Sequence, residues 1–197
     1  MGAIKRAFAN NITTSGNLLT LDAANLTGTL PAISGASLTG IESGLTVADQ
    51  WRLTAAIPGP DAVITTSNIE RIDTNMQGNL GSGMTYSSGV FTFPTTGFYL
   101  VMFKAATSNT AGDETQFKLQ LEATANNSSY DVIASVRTSA RPEHNNQSAM
   151  GATILDVSDT ANRKVRFSTQ SHQANTNLDG STSDNTTTFT FIRLGAT

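Results

Sequence analysis

The side chains able to do chemistry are few. His144 and His172 are the two histidines, and each stands in a polar stretch with no second ligand at metal-binding spacing beside it. Both read as solvated loop residues. Carboxylates occur at Asp113 and Glu114, and again at Asp179 and Asp184. Such groups hold calcium where several oxygens converge, but no EF-hand spacing is present. No cofactor is therefore expected, with loop-bound calcium as the less favoured alternative. The chain has no Cys, which removes thiolate catalysis, disulfides and Cys-ligated zinc. Serines are abundant without a Gly-x-Ser-x-Gly elbow. The glycines between Gly78 and Met84 lack the Lys and helix of a phosphate loop. Glycoside hydrolysis needs two carboxylates flanking a cleft, which only a match between distant parts of the chain would supply. The expectation is a protein that is not an enzyme.

The elements that must position these groups are strands. Hydrophobic residues make up 38% of 197 residues and charged ones only 14%, with Ser, Thr, Asn and Gly filling the difference. That is the make-up of short strands and polar turns. The formal net charge of -3 and the lack of a Lys/Arg cluster give no electrostatic reason for a nucleic-acid partner. No apolar run approaches the roughly 20 residues of a membrane span, so no membrane insertion is expected. MGAIKRAFANNI has no apolar stretch behind Lys5 and Arg6 and is not a secretory signal. Asn-x-Ser/Thr triplets, such as those at Asn25 and Asn146, read as chance in so Asn-rich a chain.

Three segments are expected. In residues 1–15, Ala3, Ile4, Ala7 and Phe8 fall at helical spacing around Lys5 and Arg6. This is either a short docking helix or a frayed end. Residues 16–46 carry an internal echo, AANLTG and GASLTG, with Gly16, Gly28 and Gly40 twelve residues apart. So small an apolar set gains stability by stacking on other copies; the alternative is a Ser/Gly linker. Residues 47–197 form the third segment.

There the signals are all strands. Ala48 to Leu53 holds the one Trp, and Gln116 to Ala123 alternates cleanly, with Phe117, Leu119 and Leu121 on one face. Tyr130 to Val136, Ala149 to Val157, Lys164 to Thr169 and Thr187 to Leu194 continue the series, which reads as an antiparallel sandwich. Antiparallel connections send successive loops to opposite ends. The short ones, Pro94 to Gly97, Ala125 to Ser129 and Ser158 to Asn162, would share one end. The long ones, Ser108 to Glu114, Ser139 to Gln147 and Ser171 to Asn185, would share the other. Long polar loops on a rigid sandwich are a usual place for binding. They contain the candidate ligand-binding residues Asp113, Glu114, His144, Asn145, His172, Asp179 and Asp184.

The aromatic residues concentrate in YSSGVFTFPTTGFYLVMF. Gly89 to Pro94 reads as a strand, Pro-Thr-Thr-Gly as a tight turn, and Phe98 to Ala105 as a second strand. That second strand is apolar on both faces, Phe98, Leu100 and Met102 on one and Tyr99, Val101 and Phe103 on the other. A sandwich covers one face only, so the other meets copies of the chain. The expected interface residues are Phe98, Tyr99, Val101, Phe103, Phe189 and Phe191.

This stretch resembles the globular heads of the complement first-component recognition subunits and their tumour-necrosis-factor-like relatives. The shared pattern is Gly-x-Phe-x-x-Pro-x-x-Gly-x-Tyr, here Gly89, Phe91, Pro94, Gly97 and Tyr99, with TFTFIRLG as the terminal strand. The resemblance covers about residues 47–197 and implies a jelly-roll sandwich in a compact homotrimer. No Gly-X-Y collagen stalk is present. LDAANLTGTLPAISGASLTG instead resembles the repeats of bacteriophage fibre proteins, and MGAIKRAFANNI the start of such proteins from marine phages. Together these imply an all-β jelly-roll head on a short trimeric stalk, on a virion surface. The implied partners are the chain itself, another virion protein held through Ile4, Lys5, Arg6 and Phe8, and a host cell-surface glycan or protein. A small trimeric polysaccharide-degrading virion enzyme is the alternative function.

Overall fold

The computed structural model describes residues 44–65, 67–141 and 146–197. The expected attachment segment, nearly all of the expected stalk, and His144 and Asn145 lie outside them. The described chain is all-β. Its strands are β1 (Ala48–Leu53), β2 (Ile57–Pro58), β3 (Ile69–Arg71), β4 (Thr85–Ser87), β5 (Val90–Thr92), β6 (Gly97–Asn109), β7 (Glu114–Thr124), β8 (Asp131–Ala140), β9 (Gln147–Val157), β10 (Lys164–Gln170), β11 (Thr176–Leu178) and β12 (Thr188–Gly195).

They form the two antiparallel sheets of a jelly roll. One runs β2-β11-β6-β12-β1-β3, with β9 on the free side of β6; the other runs β4-β5-β10-β7-β8. The 13-residue β6 organises the first sheet, being paired along nearly its whole length with β9 and on its other side with β12 and then β11. The segment Pro94 to Gly97 is not a hairpin turn. β5 lies in one sheet and β6 in the other, so it carries the chain across the sandwich. Gly97 is required there: its φ is +147°, and a Cβ would overlap the Gly195 carbonyl oxygen and lie 2.6 Å from Arg193 Nε.

Alternation decides what fills the interior. Odd-numbered residues of β6 and β12 point between the sheets and meet odd-numbered residues of β7 and β10. Phe91 lies at the centre, with ring centroids 5.6 Å from Trp51, 4.8 Å from Tyr86, 5.9 Å from Phe167 and 5.0 Å from Phe191. Phe167 and Phe189 approach to 4.2 Å across the two sheets. Each buried ring contributes roughly 1.5–3 kcal/mol by transfer. The aromatic concentration of the sequence is thus mainly a core.

The loops segregate as expected. At one end Asn127 N donates to Asn162 O at 3.0 Å and Arg193 Nε to Thr96 O at 2.8 Å. At the other, Thr110 N donates to Asn175 O at 3.0 Å and Asn109 Nδ2 to Ala140 O at 3.4 Å. The stretch Ser171 to Asn185 is not a free loop, however. It contains β11, whose Leu178 is fully buried, because its middle pairs with the end of β6 and with β2.

Candidate functional site

At the long-loop end three groups face one open cavity of about 430 Å³, lined among others by Pro60, Asp61, Glu114, Gln116, His172 and Gln173. Glu114 opens β7 and is buried. Its Oε1 accepts from Gln116 N at 3.2 Å and its Oε2 from Gln173 N at 2.9 Å. Asp61 follows β2, and its Oδ1 accepts from His172 N at 2.5 Å. These two carboxylates tie three separate chain segments together.

His172 is not a solvated loop residue. It is only 4% exposed and stands edge-on to Phe117, with centroids 5.0 Å apart. It is buried because the start of β7, the turn before β11 and the Asp61 segment close over it. Its Nε2 is 2.8 Å from Thr176 O, which only an N–H can satisfy, so the neutral ring carries its proton there. Nδ1 is then a buried lone pair without a hydrogen-bond partner among the described residues. Burial pushes the imidazole below its usual range, opposed by the Thr176 bond and by Glu114 and Asp61.

The other expected loop residues do not join this group. Asp113 is exposed, with Arg141 at 3.7 Å. Asp179 accepts from Ser108 Oγ at 2.6 Å and lines a separate hollow of about 310 Å³ with Thr107, Gln147 and Thr186. Burial raises its carboxyl above the usual range, against the Ser108 bond. Asp184 is exposed, its backbone N held by Ser181 Oγ at 3.0 Å. Among the described residues no three His, Asp or Glu side chains gather closely enough to hold a metal ion.

The expected subunit interface needs correction. Tyr99, Val101, Phe103, Phe189 and Phe191 are all at most 1% exposed within a single chain. They sit at the inward positions of β6 and β12, with Tyr99 Oη bonded to Thr95 O at 2.9 Å, and no second copy can reach them. Of the six, only Phe98 faces out, 42% exposed. The outward face has its own apolar row. Ala48, Ile192, Leu100 and Ile154 are register partners across β1, β12, β6 and β9. Met102, Met150 and Leu194 flank it. On the neighbouring edge, the β7–β8 ladder skips Ile133, leaving Val132 and Ile133 both exposed. A hollow of about 350 Å³ lined by Phe93, Ile133 and Ile154 opens between them.

Sequence reading missed the charged groups of the interior. Asp49, on β1, is buried and fully engaged. It accepts from Trp51 Nε1 at 2.9 Å, Met84 N at 2.6 Å and Arg71 Nε at 2.9 Å, while Arg71 also lies 4.8 Å over the Trp51 ring. Arg52 pairs with Glu70, and Arg166 with Glu122. Arg193 donates to Thr46 Oγ1 at 3.0 Å at the short-loop end. The lone acid inside an apolar alternation at Asp49 was the available signal.

No protein-family model matches the chain, and no curated protein matches it by sequence. Solved structures do. The Eiger tumour necrosis factor of S. frugiperda superposes with a TM-score of 0.55 at 12% identity, over 79% of this chain and 96% of that one. Murine APRIL at pH 5.0 gives 0.49 at 12% identity, over 75% and 99%. The PRD1 vertex protein P5 gives 0.49 at 14% identity, over 76% and 74%. At 12% identity the Eiger likeness speaks to architecture, and the described chain has the tumour-necrosis-factor jelly-roll fold.

Proposed function

We propose that this chain is a structural, non-enzymatic fibre protein of a bacteriophage virion: a homotrimer attached through its N-terminal segment and presenting a jelly-roll head to the host surface. The observation that carries the reading is the outward apolar row Ala48, Ile192, Leu100 and Ile154, with Ile154 60% and Met150 70% exposed. A patch of this kind on a sandwich is an interface in waiting. The exposed β8–β9 edge with Val132 and Ile133 is a second apolar surface of different shape. Face against edge is a heterologous contact, which closes into a ring, and three copies is what the sequence resemblance implies. The phage assignment is supported by the resemblance of MGAIKRAFANNI and LDAANLTGTLPAISGASLTG to bacteriophage fibre proteins. Within the head, Thr46 is held at the short-loop end by Arg193, and the long loops lie at the other end of the strands.

Light scattering on the full chain across a wide concentration range tests the assembly; three chain masses are expected, and a single chain mass throughout overturns it. A labelled N-terminus located in images of intact particles tests the placement on a virion.

A further inference from the structure

Two β-bulges at the short-loop end each leave a large apolar side chain in solvent. The β6–β12 ladder passes from Arg193 to Gly195 and skips Leu194, which stands exposed next to the outward-facing Phe98. The β7–β8 ladder skips Ile133 in the same way. Bulges re-aim side chains, and these two equip different surfaces of one chain. The first raises an apolar knob, Phe98 with Leu194, on the outer face of the first sheet. The second borders the hollow of about 350 Å³ at the edge formed by β8 and β9. Phe93, Val157 and Val165 are buried against that hollow, and Ile133 and Ile154 stand exposed beside it. Its charged lining is Asp131, Asp156, Arg163 and Lys164, two of each sign, so a neutral apolar group meets no net charge. Phe98 does not line the hollow of its own chain, because β9 stands between β6 and that edge.

Knob and hollow stand at one height along the strands. Phe98 is the register partner of Asp156, and Asp156 lines the hollow together with Ile154 and Val157. A rotation preserves height along its axis. In a ring of head-to-tail contacts closed about an axis parallel to β6, the knob of one copy therefore arrives at the level of the next copy's hollow. We propose that Phe98 of one copy, with Leu194 beside it, fills the hollow between Ile133 and Ile154 of the next, so that each hollow is completed by a side chain from another copy. A few seated anchors of this kind carry most of the binding energy of an interface. This rests on the homotrimer reading and names the contact that closes it.

The chain has no Cys, so introduced thiols report without background. Phe98→Cys, Ile133→Cys and the double variant of the full chain are treated with a short bismaleimide and resolved on a denaturing gel. The double variant yields covalent trimers, and neither single variant cross-links. Phe98→Ala, at an exposed position, keeps the circular-dichroism spectrum of the parent. It raises the concentration at which trimers dissociate in sedimentation by about tenfold. Cross-linking of Phe98→Cys alone would set Phe98 against its own copies and overturn the contact. So would a trimeric double variant that stays uncross-linked, which would leave the hollow to a ligand from outside the assembly, or a Phe98→Ala trimer as tight as the parent. A parent of one chain mass overturns the trimer itself, so the two failures are told apart.

Discussion

Leu100 and Ile154 are register partners across the β6–β9 ladder, and both side chains leave the sandwich on its outer side. Ile192 of β12 flanks Leu100 on the other hand, so the row continues without a polar break. Nothing in a single chain needs Ile154 apolar. Ile154→Asp should therefore leave the melting transition of the isolated head intact while placing three desolvated carboxylates in the assembled interface, each costing several kcal/mol. The expected outcome is dissociation to single chains in analytical ultracentrifugation. A variant that remains assembled would mean that this row is not the contact surface.

Phe191 behaves oppositely. It lies between the sheets with its ring 5.0 Å from Phe91 and 6.2 Å from Phe93. Phe191→Ala should lower unfolding stability by about 3–5 kcal/mol in urea titration. Tyr99→Phe loses only the bond to Thr95 O, for about 1 kcal/mol. If instead Phe191→Ala left stability unchanged and altered only the mass in solution, the core assignment would be wrong.

His172 gives the fold a pH dependence whose sign follows from its surroundings. Burial holds its folded pKa below the ordinary value of 6.5. The unfolded chain then binds more protons than the folded one as pH falls below 6.5, and stability drops with it. The contribution is full above the unfolded value and is lost as pH falls through the folded one. His172→Gln retains a donor for Thr176 O and has no titration in that window. Chemical denaturation between pH 7.5 and 5 should show a steeper loss for the parent than for the variant; parallel profiles would rule the imidazole out as the cause.

What was legible in the sequence followed from periodicity. QFKLQLEA alternates so cleanly that Phe117, Leu119 and Leu121 fall on one face, which the structure buries, and the two loop ends follow from strand count. β6 defeated the same logic. With Phe98, Leu100 and Met102 on one side and Tyr99, Val101 and Phe103 on the other, alternation identifies two apolar faces but not which of them the opposite sheet covers. Only the pairing with β12 and β9 settles the parity. Strands of three residues, such as β3 and β11, have no period to detect. The burial of His172 depends on Asp61, 111 positions away in the chain, a relation that no local pattern contains.

The Asp49–Arg71 pair is the most demanding polar feature of the head. The Asp49 carboxylate is entirely shielded from solvent, and Arg71 approaches it with both Nε and Nη2, at 2.9 and 3.1 Å. Arg71 Nη2 also donates to Met84 O at 2.5 Å, so one guanidinium ties β1, β3 and the segment before β4. Removing one partner strands a buried charge, which costs about 3–5 kcal/mol. Two donors, Trp51 Nε1 and Met84 N, remain on Asp49, so Arg71→Ala should fall near the lower figure, about 3 kcal/mol. Arg71→Lys should recover only part of this, because an ammonium cannot span both carboxylate oxygens and Met84 O in the planar fork. The double variant Asp49→Asn, Arg71→Ala should be less destabilised than Arg71→Ala alone, since the stranded charge is gone. Urea titration of the parent, Asp49→Asn, Arg71→Ala and the double variant measures the coupling; additive losses would show that the two side chains do not stabilise each other.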